Sequence, residues 1–165
     1  MASLPARAQN DSLEYAIKAA YLFKFTPFID WPPSAFAAPT GPFNVCILGA
    51  DPFGGALDDA LKGHQVGEHP VRVRRLQGLD GAEECQILYL GALRAQPAVA
   101  ALNKVRGAPV LTVTEQGQGV RGGVVQFVIR DGHVRFTIDA AAATANRVTI
   151  SAKLLSLAAS QAGGA

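Results

Sequence analysis

"FNVCILGADPFGGALDDALKG", residues 43–63, reads as a strand, a tight turn and a helix in immediate succession. "FNVCILG" (43–49) is a nearly continuous apolar run stopped by Gly49, which is the pattern of a strand buried on both faces. Beyond it, Asp51 stands where an N-cap is expected and Pro52 at the first helical position. Leu57 and Leu61 then repeat at helical spacing and supply an inner face.

The same grammar recurs down the chain. "HPVRVRRL" (69–76) alternates as a strand, and "CQILYLG" (85–91) is a second buried run. "AQPAVAALNKVRG" (95–107) is a helix ended at Gly107, and "APVLTVTE" (108–115) is a third core strand. "GGVVQFVIRDGHVRFTID" (122–139) is a hairpin turning on Asp131-Gly132. "DAAAATANRVTISAKLLSLAAS" (139–160) is helical, broken near Asn146. Buried strands alternating with helices predict an α/β fold, a three-layer α/β/α sandwich. Its mixed sheet is expected to hold about six strands, with a parallel front half and an antiparallel C-terminal hairpin. Residues 11–160 form one domain in this reading, 1–10 are the remnant of a signal or cleavage region, and 161–165 are a frayed tail.

Upstream of the first strand, residues 12–25 read as a helix, with Asp11 and Glu14 spaced as a capping box. Leu13, Ile17, Tyr21, Phe25 and Phe28 fall on one face, and Tyr15, Ala19, Leu22 and Ile29 on an adjacent stripe. The apolar surface is wide enough that the helix is expected to be largely buried or to face a partner. Pro27 ends it, and Trp31-Pro32-Pro33 forces an extended exit.

The composition supports one domain with a full core: 165 residues, 49% hydrophobic and 17% charged. A net charge of +2 argues against a nucleic-acid binder, which clusters its basic residues on one face. Arg72 and Arg74 share a strand face and read as solvated rather than as a phosphate patch. No apolar run is long enough to span a membrane. Ala6-Arg7-Ala8 before Gln9 has the small-x-small form of a secretory cleavage site, without the apolar segment that normally precedes one. Cys46 and Cys85 permit a single intramolecular bridge, closing a loop of about 40 residues and contributing about 3–4 kcal/mol by chain entropy; two buried thiols fit the spacing equally well.

Chemical motifs are sparse. "GQGVRG" (117–122) matches G-x-G-x-x-G, but a strand follows it where a dinucleotide site needs a helix, so it reads as a flexible loop. "GADPFG" (49–54) has P-loop spacing with Gly55-Ala56 in place of Lys and Ser/Thr. His64, His69 and His133 have no zinc-like spacing and read as surface residues. Asp58 and Asp59 are adjacent and point apart, and Asp30 reads as an exposed residue at a helix end. No nucleophile, base and oxyanion donors assemble, so no catalytic residue, metal ligand or cofactor is assigned. The positive signal is the aromatic cluster, whose rings either cover an open sheet face or line a groove or partner surface.

Several stretches together resemble the YfiR family. They are "KAAYLFKFTPFIDWP" (18–32), "CILGADPFGGAL" (46–57), "VRVRRL" (71–76), "CQILYLG" (85–91), "LTVTE" (111–115), "GGVVQFVIRDGHVRFTID" (122–139) and "ISAKLLSLA" (150–158). The resemblance implies a small periplasmic α/β domain without catalysis, the best-understood members of which repress an inner-membrane diguanylate cyclase by binding its periplasmic sensor region. It implies a Cys46–Cys85 disulfide and a homodimer. The chain departs from the family at Thr26-Pro27, where the first helix usually continues, and at Asp139, where Asn is common. It also lacks the second cysteine pair of the best-known member, so a redox switch built on that pair does not carry over.

The functional expectation is an exported signalling modulator, not an enzyme, that docks on the periplasmic region of a membrane diguanylate cyclase or another membrane receptor. Tyr21, Phe25, Phe28, Trp31, Ile150, Leu154 and Leu157 are the candidate partner or ligand residues. The alternative is a periplasmic small-molecule-binding sensor domain with the aromatic cluster lining its pocket. A hydrolase is the third and weakest reading.

Overall fold

The computed structural model describes residues 6–91, 95–116 and 122–159. In chain order the elements are α1 (Ala6–Lys24), β1 (Ile29–Asp30), β2 (Phe43–Leu48), α2 (Gly55–Leu61), β3 (Gln65–Val66), β4 (His69–Leu76), β5 (Ile87–Leu90), α3 (Ala95–Lys104), β6 (Leu111–Glu115), β7 (Val125–Arg130), β8 (His133–Ile138), α4 (Ala140–Ala145), β9 (Thr149–Ile150) and α5 (Ala152–Leu157). Short 3-10 turns occupy Thr26–Phe28, Pro33–Ala35 and Ala82–Glu84.

The main sheet has seven strands in the order β3-β4-β2-β5-β6-β7-β8. Strands β4, β2, β5, β6 and β7 run parallel, while β3 and β8 close the two edges antiparallel. The mixed α/β sheet is thus the predicted one, with the two-residue edge strand β3 added. The hairpin turn falls on Asp131 and Gly132, with φ of +54° and +76°, the left-handed pair that a two-residue hairpin requires.

Alternation along the strands builds two cores. Phe43, Val45 and Ile47 of β2, Ile87 and Tyr89 of β5, and Leu111 and Val113 of β6 point toward α1 and α2, joined by Val125 and Phe127 of β7. Cys46, Leu48, Leu88 and Leu90 point the other way, onto Ala98 and Ala101 of α3 and onto Val105. Burial on both faces is the physical reason that β2, apart from Asn44, and β5 read as continuous apolar runs. Cys46 and Cys85 lie in the second core and are joined in a disulfide, their Cα atoms 5.9 Å apart.

Three local expectations are corrected. Helix α1 begins at Ala6, so Asp11 lies inside it and not at its start, and Glu14 pairs with Lys18 at 2.5 Å. Helix α2 begins at Gly55 with Gly54 at its N-cap, because Asp51 folds into a turn in which its Oδ1 accepts from Phe53 N at 2.8 Å. Arg75 then takes the other Asp51 oxygen at 2.6 Å. The C-terminal segment is interrupted by a strand: β9 pairs antiparallel with β1 in a separate two-stranded sheet, Ile29 opposite Ile150 and Asp30 opposite Thr149. Residues 117–121 of the expected glycine-rich loop and the tail 161–165 lie outside the described residues. Among the described residues no helix is long and apolar enough to cross a membrane.

Candidate functional site

The first helix divides the predicted aromatic face in two. Its C-terminal half drops Leu22 and Phe25 into the core, where the Phe25 ring meets Phe136 edge-on at 4.9 Å and Phe127 at 6.2 Å. Tyr21 is half-buried and stacks on Phe25 at 5.8 Å. The N-terminal half is inverted: Leu13 is 62% exposed and Ile17 38%, while Lys18 is 2% exposed. The cause is the sheet beneath it. At this level β6 ends in Glu115, which is 5% exposed, and the Lys18 ammonium bridges Glu115 and Glu14 beneath the Tyr15 ring, 4.5 Å from its centroid. Tyr15 donates its hydroxyl to Glu115 at 3.2 Å.

After Pro27 the chain leaves the helix as a strap over the amino ends of β2 and β5. Trp31 anchors it, its indole Nε1 donating to Gln86 O at 3.0 Å and its ring meeting Phe43 edge-on at 4.9 Å. Gln86 is buried and stitches the strap to the sheet: its Oε1 accepts from Asn44 N at 2.6 Å and its Nε2 donates to Ala35 O. Phe36 then lies flat on His69, 3.5 Å between centroids and 8° between planes. The His69 Nδ1 is 2.7 Å from Gly41 O. Trp31, Pro33, Phe36, Pro39 and His69 line a cavity of about 460 Å³, within the size range of small-molecule sites. Trp31 is one of the candidates read from the sequence; Phe36, Gln86 and His69 are not. His69 was read as a surface residue because nothing near it in sequence signals the ring it stacks on.

The β1–β9 pair carries the aromatic segment to the C-terminal helix. Ser151 N donates to Phe28 O at 2.8 Å, and Lys153 Nζ stands 5.8 Å from the Phe28 ring centroid. Ser151 caps α5, its Oγ accepting from Leu154 N at 3.2 Å. Phe28 and Ile150 are therefore neighbours and half-buried, Leu154 turns into the core, and Leu155 and Leu157 face outward, Leu157 at 60% exposure. Of the seven candidate residues, Phe25 and Leu154 are core, Tyr21 packs over the hairpin, Trp31 lines the strap cavity, Phe28 and Ile150 adjoin across the β1–β9 pair, and Leu157 stands exposed on α5.

The remaining histidines are dispersed, His64 against Phe23 at 4.4 Å and His133 at the hairpin, and among the described residues no three His, Cys, Asp or Glu side chains converge as metal ligands. The Arg75 guanidinium binds Asp58 at 2.8 Å and Asp51 at 2.6 Å, which holds the Asp58 carboxyl below its ordinary range and raises Arg75 further. This pairing ties β4 to α2 and the turn before it.

No curated protein sequence matches the chain. The model of the family DUF4154, described as YfiR/HmsC-like, matches residues 15–159, from the buried Tyr15–Lys18–Glu115 contact to just beyond α5, and the protein belongs to this YfiR/HmsC-like family.

Proposed function

We propose that the protein is an exported, non-catalytic regulator that binds the periplasmic sensor region of an inner-membrane diguanylate cyclase and lowers cyclic di-GMP synthesis. The observation that carries this is the family match over 15–159. Physically, repression requires tighter binding to the inactive than to the active state of the cyclase. The corner of Phe28, Ile150, Leu155 and Leu157 is the face assigned to that contact, because its large apolar side chains stand at the surface on two short elements held by the β1–β9 ladder. A homodimer is part of the reading, with the exposed Leu13 and Ile17 of α1 as its face. The test is cyclic di-GMP in the native host with the gene present, deleted, and restored as an exported copy. A rise on deletion that the exported copy reverses supports the reading, and no change overturns it.

A second reading is favoured by the strap cavity. An aromatic-walled space of about 460 Å³ beside Trp31 suits a flat, uncharged small molecule. In this version the domain senses a ligand for a membrane receptor. A ligand-dependent rise in melting temperature that Trp31→Ala abolishes would support it.

A further inference from the structure

On the α3 side of the sheet the apolar packing is confined to one half, and the other half buries polar side chains such as Thr112 and Thr114. The apolar cluster draws on β2 and β5 and, among the described residues, takes nothing from β7 or β8. The residues that β6, β7 and β8 present on that side include Thr112, Thr114, Gln126 and Thr137. Two adjoining clefts, of about 620 Å³ and about 250 Å³, lie there between α3, α4 and the hairpin, and they share Gly122, Gly123 and Asp139. The larger has an apolar wall of Val99, 53% exposed, and Leu102 from α3, facing Ala141 and Ala142 of α4. Its mouth carries Asn103 and Arg106; the smaller cleft ends at Arg130.

Two features make this a built site. Gly122 and Gly123 adopt φ of +106° and +90°, and a Cβ on Gly123 would stand 3.0 Å from Thr114 Cγ2 and one on Gly122 3.2 Å from Leu102 Cδ1. A side chain at either position would be strained, so at these two residues the clefts meet bare backbone. The charges are also unbalanced. Neither Arg106 nor Arg130 has an ion-pair partner among the described residues. Among the described lining residues Asp139 is the acid; its Oδ1 accepts from Ala142 N at 3.0 Å as the cap of α4 and its charge remains, so two arginines stand against one carboxylate.

We propose that this groove binds an amphipathic organic anion, with its apolar body against Val99, Leu102 and the α4 alanines and its carboxylate or phosphate at Arg106, whose planar fork matches such groups. Arg130 receives a polar extension. Helix α4 has the groove on one side and, through Ala140, Ala143 and Thr144, a cleft with Ile150 and Leu155 on the other.

The test is calorimetric titration of the purified protein with octyl phosphate, octanoate, octanol and inorganic phosphate. Binding of octyl phosphate or octanoate, weakened about tenfold or more by Arg106→Gln and not matched by octanol or inorganic phosphate, is the expected result. Which of the two anions binds tighter distinguishes a phosphate from a carboxylate ligand. Arg106→Gln, at an exposed position, keeps the test free of folding defects. No binding of either anionic probe, octanol binding equal to octanoate, or affinity unchanged in Arg106→Gln would each overturn the proposal. None of these outcomes depends on a cyclase partner.

Discussion

Lys18 of α1 and Glu115 of β6 are joined in an ion pair inside the core, across 97 residues of sequence. Lys18→Met strands the buried Glu115 carboxylate and should cost about 3–5 kcal/mol, whereas Glu115→Gln leaves Lys18 paired with Glu14 and should cost less. The double variant Lys18→Met/Glu115→Leu should recover most of that loss. Urea unfolding of the three variants measures it, and equal losses in single and double variants would show that packing, not charge, is at stake.

Leu155→Ser and Leu157→Ser act at exposed positions of α5. Each should change stability by less than about 0.5 kcal/mol while raising cyclic di-GMP toward the level of the gene deletion. Unaltered repression in the pair would remove this corner from the docking face.

Trp31 combines a hydrogen bond with ring packing. Trp31→Phe should cost about 1 kcal/mol for the lost bond to Gln86, and Trp31→Ala about 3 kcal/mol or more as the strap loses its anchor. Thermal melts resolve the two. A ligand seated in the strap cavity would reveal itself by protecting the wild type and not the alanine variant.

The Cys46–Cys85 bridge closes a loop through the second core. Denatured, unreduced protein should show no titratable thiol, and reduction should lower stability by about 2–5 kcal/mol. Melting with and without a reductant reads the effect directly.

Arg75 lowers the Asp58 carboxyl in the folded state. A depressed folded value contributes stability that is fully present above the unfolded value of about 3.9 and is lost as pH falls below it. Asp58 is half exposed, so solvent screening limits the effect to under about 1 kcal/mol. Asp58→Asn should flatten the stability profile below about pH 4 and leave its shape at neutral pH unchanged; a larger change near neutrality would point to a different group.

Much of this architecture is local and was legible as such. The span of β4, the buried runs of β2 and β5 and the Asp131-Gly132 turn follow from alternation, apolar continuity and backbone preference, each set within a few residues. Strands β1 and β9 were not legible: two residues each carry no period, and what defines them is only their pairing, Ile29 with Ile150. Asp51 has every mark of a helix cap, yet Arg75, 24 residues on, holds one of its oxygens while the other closes a turn.

The candidate site divides along the same line. The family, the alternation that lays out the parallel sheet and the concentration of rings between residues 21 and 31 can be read from the residues alone. The residues alone do not determine which rings are core. Helical spacing specifies the width of an apolar stripe but not its rotation about the helix axis. Glu115 on the sheet turned Lys18 inward and left Leu13 and Ile17 at the surface, and Gln86 just before β5 and His69 of β4 hold Trp31 and Phe36 in the pocket wall. Burial and polar pairing depend on neighbours that only the folded chain brings together, and that is why those assignments belonged to the tertiary structure.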